Sequence, residues 1–259
     1  MHRVRLIVEY DGTNYVGWQV QPNGLSVQEV LERELNKLTH EDIRINGSGR
    51  TDSGVHARAQ VVHFDTNSRI PAEKFPYALN VSLPPDIRVK YGDEPNPDFH
   101  ARFDVLKKSY RYTLYSAPHD SAFCYNNALH IHQRLDIEKM QRAADCIIGE
   151  HDFAAFKAEG VELKSTVRTM YTSKWTRDGN FIYYDICGSG FMYNMVRILV
   201  GTMVAIGKGY LPENTIDDAL KKCTRNAAGD TAPARGLMMT RVVYSNFDTE
   251  EVLKSVQLY

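Results

Sequence analysis

The chain has 259 residues, 43% of them hydrophobic and 24% charged, a composition typical of soluble globular proteins and long enough for one large domain or two of moderate size. The formal net charge of −1 neither favours nor excludes nucleic acid as a partner, because such binding depends on a local basic patch. The most apolar segment, residues 191–207, is interrupted by Asn194 and Arg197 and falls short of the roughly 20 apolar residues that a membrane-spanning helix needs.

The first half of the chain, residues 1–104, has the pattern of an α+β domain. Apolar residues alternate over residues 4–10, which is the period of a half-buried strand. Ser26 and Glu29 have the spacing of a capping box and predict the start of a helix. The remaining predicted elements of this half are strands near 43–47 and 58–66, a helical segment near 72–80 and a strand near 86–91.

The second half, residues 105–259, begins with a strand predicted by the alternation over 108–116. Asp136 is the expected cap of a helix that ends near Gly149. An Asp-Gly pair at 178–179 predicts a hairpin. The other predicted elements are the two hairpin strands at 166–177 and 180–187, an apolar helix at 191–206, a helix near 213–222 and a last strand near 237–244.

Each half therefore runs strand, helix, strand, strand, helix, strand, which is the split βαβ or ferredoxin-like order. The halves share no sequence repeat, so the duplication rests on the order of the elements alone. We predict an α+β fold of two ferredoxin-like domains, residues 1–104 and 105–259, with a catalytic cleft between them.

The stretch 46-NGSGRTDSGVHARAQVVHF-64 holds the first candidate for chemistry, Asp52. Asp-x-Gly is a common turn sequence, and the turn interpretation is about as strong as the functional one. In the functional interpretation Asp52 is a nucleophile or base, and Arg50 lies close enough to keep it ionised. The glycines lack the spacing of a dinucleotide fingerprint or a P-loop, which disfavours a phosphate-cradling loop.

Tyr110 and Arg197 are the other candidates. Tyr110 lies among Lys and Arg residues in 107-KKSYRY-112, where it is either a core aromatic or a surface on which a nucleobase stacks. Arg197 lies within the apolar helix, either extending to the surface or paired with a buried carboxylate such as Asp52. We interpret 11-DGTNY-15 and 157-KAEGVELK-164 as solvated loops that are able to contact a ligand at the rim of a cleft.

Features that would indicate another class of protein are missing from the sequence. The N-terminus lacks the apolar core of a signal peptide, so we expect a cytoplasmic protein without a membrane anchor. The four cysteines form no CxxC pair and the nine histidines no HExxH motif, so we predict no metal site.

Eight segments of the chain resemble the tRNA pseudouridine synthase A family, TruA, over nearly the full length. The most specific segment is 49-GRTDSGVHA-57. The others are 10-YDGTNYVGWQ-19, 26-SVQEVLE-32, 98-DFHARF-103, 108-KSYRY-112, 149-GEHDFAAF-156, 190-GFMYNMVR-197 and 232-APARGL-237. Small departures, such as Ser53 where alanine is common, affect none of the candidate residues.

The resemblance implies a two-domain α+β isomerase with a continuous central sheet that converts uridine to pseudouridine at positions 38, 39 and 40 of the tRNA anticodon stem-loop. It implies no cofactor and a homodimer in which one tRNA contacts both subunits. It also places the essential carboxylate at Asp52, supporting arginines at Arg50 and Arg197, and a substrate-binding tyrosine at Tyr110. We expect the target base to be flipped out of the stem, and lysines and arginines near the cleft to bind phosphates.

The residues leave the role of Asp52 open, because a carboxylate near the glycosidic bond can attack the uracil ring, attack the ribose or act as a base on the ribose. Two other functions compete with the synthase. A non-catalytic RNA-binding module would also present aromatics on a ferredoxin-like sheet. A carboxylate-dependent hydrolase would need a second acid or base, which the loop around Asp52 does not supply.

Overall fold

The computed structural model of the protein describes residues 1–158, 160 and 163–256, which divide into two compact units. Unit 1 comprises Met1–Lys108 with the described residues from Met238 to Val256, and unit 2 comprises the described residues of Ser109–Leu237. Of the predicted loop 157–164, residues Glu159, Val161 and Glu162 lie outside the described residues. Within the described part of the chain, no helix is long and apolar enough to cross a membrane.

The elements follow the predicted alternation of strands and helices. The strands are β1 (His2–Tyr10), β2 (Asn46–Gly47), β3 (His56–Thr66), β4 (Ile87–Asp93), β5 (Lys107–Ser116), β6 (Leu129–Ile131), β7 (Gly149–Asp152), β8 (Val167–Asp178), β9 (Phe181–Gly188) and β10 (Leu237–Val243). The helices are α1 (Val27–Thr39), α2 (Phe75–Ser82), α3 (Ile137–Asp145), α4 (Met195–Gly207), α5 (Thr215–Lys222) and α6 (Thr249–Val256).

The sheet of unit 1 has the strand order β4-β1-β3, and β2 also pairs with β3. β1 runs antiparallel to both of its neighbours. This is the split order that the sequence predicted, in which the first strand lies between the third and the fourth. β2 is shorter than the predicted strand at 43–47. β10, which we predicted at the end of the second half, pairs parallel with β3 in unit 1 through Met238 and Met239.

The helices of unit 1 bury one face each against this sheet or against one another. The Ser26 hydroxyl accepts a hydrogen bond from the Glu29 amide at 3.2 Å, which confirms the predicted cap of α1. The segment predicted at 72–80 is a short 3-10 turn followed by α2, which packs on α1 and β4. The large fully buried side chains of unit 1 are Leu6, Ile7, Leu31, Leu35, Phe64, Phe75, Leu79 and Ile87.

Unit 2 repeats the central part of this order as β5-β9-β8, with β7 beyond β8 and β6 parallel to β5. The predicted hairpin is confirmed, because β8 and β9 pair antiparallel and Gly179 adopts a left-handed φ of +59° in the turn. The Asp136 side chain accepts from the Lys139 amide and caps α3, which ends at Asp145, before the predicted end. α3 packs against β8 and α4.

α4 starts four residues later than the apolar pattern predicted. Asn194 has a left-handed φ of +61°, which no residue inside a right-handed helix adopts, so the helix begins at Met195. Ile198, Leu199 and Val200 are fully buried and form part of the core of unit 2. The α+β class is confirmed for both units.

Candidate functional site

Asp52 lies in the loop between β2 and β3 of unit 1, residues 48–55, which we call the Asp52 loop. Its side chain is half-buried, whereas Arg50 is exposed. The Asp52 carbonyl accepts from the Val55 amide at 3.1 Å and closes a turn, which Gly54 completes with a left-handed φ of +77°. The backbone of Asp52 therefore belongs to a turn, as the turn interpretation of Asp-x-Gly predicted.

The start of the Asp52 loop is held by polar side chains from elsewhere in unit 1. Gln60, on β3, is completely buried and accepts from the Ser48 hydroxyl at 2.5 Å. Its amide nitrogen donates to the Gly49 carbonyl at 2.7 Å. Lys108 donates to the Ser48 carbonyl at 2.5 Å. Two consecutive carbonyls before Arg50 are thus each bonded by a side chain distant in sequence.

Thr51, which precedes Asp52 in the loop, is held by the last residue of β1 and by the segment that follows β1. Tyr10 and Thr51 share a buried hydrogen bond between their hydroxyls at 2.8 Å. The Trp18 amide donates to the Thr51 carbonyl at 3.0 Å, so Thr51 is bonded through both side chain and backbone. Burial raises the pKa of Tyr10 far above its usual value, so its hydroxyl stays neutral and keeps this bond at any physiological pH.

The interpretation of 11-DGTNY-15 as a solvated loop is wrong for part of this segment. Tyr15 is 5% exposed, and its carbonyl accepts from the Ser53 hydroxyl at 3.2 Å. Its own hydroxyl donates to Asp86 at 2.7 Å. Thr13 and Asn14 are exposed as expected. The burial of Tyr15 could not be predicted from the sequence, because the segment has neither helical nor strand periodicity.

Tyr110 lies on β5 in unit 2, where its side chain is buried. Its ring meets the Phe191 ring edge to face, with 5.1 Å between the centroids. Two residues on, Tyr112 is completely buried, and its hydroxyl donates to the Pro233 carbonyl at 2.7 Å. The ring of Tyr110 is therefore held by an aromatic neighbour from the segment that leads into α4.

Arg197, in the first turn of α4, is half-buried and bonded on two sides within unit 2. Its Nε donates to the Ala232 carbonyl and its Nη1 to the Asn194 side-chain oxygen, both at 2.8 Å. The Ala232 amide in turn donates to the Arg197 carbonyl at 3.0 Å. These bonds fix the direction of the guanidinium, so Arg197 is not a surface arginine with a mobile end.

The four predicted site residues thus lie in pairs, with Arg50 and Asp52 in unit 1 and Tyr110 and Arg197 in unit 2. Sequence reasoning missed the side chains that hold the Asp52 loop, above all Gln60 and Lys108. Gln60 gives a signal in retrospect, because a glutamine inside the apolar run 59–64 must find buried hydrogen-bond partners. Among the described residues, no group of three His, Cys, Asp or Glu side chains is placed to hold a metal ion.

Comparisons with known proteins match this chain to one family. The family model described as tRNA pseudouridine synthase matches residues 6–104 and 143–245. The tRNA pseudouridine synthase A of Ruminiclostridium cellulolyticum is 46% identical over 94% of this chain and 100% of its own length. Proteins of the same name from Thermoanaerobacter sp. (strain X514) and Brevibacillus brevis are 46% and 45% identical, with the same coverage of both chains.

Proposed function

From the premise that this chain belongs to the tRNA pseudouridine synthase family, we propose that Asp52 is its essential carboxylate and that uridines 38, 39 and 40 of the anticodon stem-loop are its targets. The enzyme is an isomerase that acts on uridine in tRNA. In this reaction the bond from ribose C1′ to uracil N1 breaks and a bond from C1′ to C5 forms. The proton on C5 leaves and N1 gains one, so the product has the composition of the substrate.

The observation that supports Asp52 is the way its loop is built. A reacting carboxylate has to be held in place before the substrate arrives, because positioning supplies much of the rate. Two buried side chains, Gln60 and Tyr10, and the half-buried Lys108 bond the loop at Ser48, Gly49 and Thr51, while Asp52 itself is half-buried. A turn that served only to connect β2 to β3 would not need so many buried polar partners, each of which costs desolvation.

The other site residues are assigned supporting roles. Arg50, two residues before Asp52, is proposed to keep the carboxylate ionised once a substrate covers the loop and excludes water. Tyr110 is proposed to stack on the flipped uracil near C5, and Arg197 to stabilise the charge that develops during bond exchange. The edge-to-face contact of Tyr110 with Phe191 supports the stacking role, because it holds the ring plane in one orientation.

The setting of the reaction is also part of the proposal. We expect the enzyme to work in the cytoplasm as a homodimer in which one tRNA contacts both subunits, as the family resemblance implies. Lysines and arginines are expected to bind the phosphates, which makes tRNA affinity fall with rising salt. The division into domains at residues 1–104 and 105–259 remains a prediction.

The experiment that tests the proposal is tritium release from unmodified tRNA that carries 5-tritiated uridine. Wild type should release tritium, because the C5 proton leaves in the reaction, whereas Asp52→Ala and Asp52→Asn should release none while binding tRNA with little change. Asp42→Asn is the matched control, because Asp42 is an exposed aspartate of unit 1.

Substantial release by Asp52→Asn would end the assignment of Asp52 as the reacting group. Mapping the modified positions in the same tRNA tests the second part of the proposal. Pseudouridine outside positions 38 to 40, with those three unmodified, would show that the target region is wrong while the enzyme class stands.

A further inference from the structure

Lys108 places a half-buried positive charge in unit 1, next to the Asp52 loop. It is the second residue of β5, and its Nζ donates to the Ser48 carbonyl at 2.5 Å. The hydrogen-bond partner of this ammonium group is a backbone carbonyl rather than a carboxylate. Partial burial of a charge that is held by a backbone carbonyl costs free energy, so we expect Lys108 to have a role other than stabilising the fold.

The loop is shaped to receive this ammonium group. A Cβ atom added at Gly49 would lie 2.8 Å from Lys108 Nζ, so a glycine at this position leaves the space that the lysine occupies. The Gly49 carbonyl is bonded by Gln60 at 2.7 Å, immediately after the carbonyl that Lys108 bonds. The Ser48–Gly49 and Gly49–Arg50 peptide groups are therefore each held by a side chain, at carbonyls four and three residues before Asp52.

We propose that Lys108 is a positioning residue for the isomerisation. It fixes the backbone at Ser48 and thereby determines the position of the Asp52 carboxylate. The inference rests on the proposed role of Asp52. Lys108 acts through the backbone of the Asp52 loop and need not touch the uridine. A hydrogen bond from a charged donor is about twice as strong as one from a neutral donor, so the role depends on protonation of the amine.

The protonation state changes close to neutral pH. Burial, and to a lesser extent the positive charge of Arg102 in the segment before β5, lowers the pKa of Lys108 to about 8. Protonated Lys108 predominates at pH 7 and is about one tenth of the population at pH 9, given a single titration at that pKa. Turnover should therefore fall about tenfold between pH 7 and pH 9 if only the protonated form positions the loop.

Through Lys108, rising pH should lower turnover but raise the free energy of unfolding. These opposite signs allow the effect on turnover to be distinguished from a loss of stability. An exposed lysine has a pKa of 10.5, so between pH 8 and 10.5 the unfolded chain binds more protons at this residue than the folded protein does. Through Lys108, the free energy of unfolding therefore rises with pH in this window. A loss of turnover above pH 8 without a loss of melting temperature is the expected signature.

The test compares Lys108→Met and Lys108→Arg with wild type by tritium release at saturating tRNA, from pH 6.5 to 9.5. Lys108→Met should lower kcat by roughly 10- to 100-fold, as a small displacement of a reacting group does, with KM changed less than about threefold. Lys108→Arg keeps a charged donor, so it should retain more activity and lose the fall above pH 8. Lys174→Met, an exposed lysine in unit 2, is the control.

Gly49→Ala is the second variant, and it leaves Lys108 in place. The added methyl would meet the mobile end of the lysine side chain rather than backbone, so the fold should be retained while Nζ is displaced from the Ser48 carbonyl. The double variant with Lys108→Met should be no slower than Lys108→Met alone, because both changes remove the same bond.

A kcat of Lys108→Met within twofold of wild type, or a pH profile of Lys108→Arg identical to that of wild type, would overturn the proposal. Asp52→Ala is assayed in parallel. If Asp52→Ala is inactive and Lys108→Met is normal, only the role of Lys108 fails. If Asp52→Ala is active, the proposed role of Asp52 fails and that of Lys108 fails with it.

Discussion

Asp52 lies in an irregular loop, whereas Tyr110 and Arg197 lie in a strand and a helix. The strand and the helix hold their residues through the backbone hydrogen bonds of regular structure, to which each residue adds contacts of its own side chain. The loop has no such ladder. Its backbone carbonyls are bonded by side chains of β3 and β5 and by the Trp18 amide of the segment after β1. The Thr51 side chain is bonded by Tyr10, the last residue of β1.

This difference predicts which substitutions should lower the free energy of unfolding most. Removing a side chain that holds the Asp52 loop leaves buried backbone groups without partners, which is costly. Removing the side chain of Tyr110 or Arg197 leaves the strand or the helix itself intact. The free energy of unfolding should therefore change most for loop-holding residues and least for Tyr110, even though each change should reduce turnover.

The largest change in stability is expected for Gln60→Leu. The substitution keeps the volume but leaves the Gly49 carbonyl and the Ser48 hydroxyl without this partner in a buried site. We expect a loss of about 3 kcal/mol in the free energy of unfolding, measured by urea denaturation. The exposed Gln19→Leu in the same unit is the control. A loss below about 1 kcal/mol would show that the loop is held without Gln60.

An intermediate change is expected for Arg197→Ala. Its bonds to the Ala232 carbonyl and the Asn194 side chain tie the start of α4 to the segment 232–237. Because Arg197 is half-buried, water replaces part of the lost hydrogen bonding. We therefore expect a loss of about 1–2 kcal/mol in the free energy of unfolding, together with at least tenfold slower tritium release. Arg134→Ala, an exposed arginine of unit 2, is the control. Unchanged melting and kinetics would contradict both roles.

The smallest change in stability is expected for Tyr110→Phe. The ring and its contact with Phe191 are preserved, so the free energy of unfolding should stay within about 1 kcal/mol of wild type. Binding of tRNA should persist while turnover falls on the order of 100-fold, if the hydroxyl assists proton removal at C5. Tyr77→Phe, an exposed tyrosine, is the control. Near-normal rates would exclude a role for the hydroxyl and leave only stacking.

The sequence by itself determined the α+β class, most of the elements and the family. Periodicity and caps act over a few residues, so Ser26, Asp136 and the Asp178-Gly179 turn could be read directly from the chain. The same holds for the candidate Asp52, because the GRTD segment is contiguous. The ends of helices and strands were less well determined. The left-handed backbone of Asn194 delays the start of α4, but the apolar pattern of the sequence continues on both sides of this residue.

Only the tertiary structure decided which residues hold the Asp52 loop and where the last strand pairs. Gln60 and Lys108 lie 8 and 56 positions from Asp52 in the sequence. Both residues bond backbone carbonyls, which every residue possesses. The pattern of side chains in the sequence therefore does not predict these hydrogen bonds. β10 joins β3 in the same way, because the choice of a neighbouring strand depends on contacts between segments about 180 residues apart rather than on either segment alone.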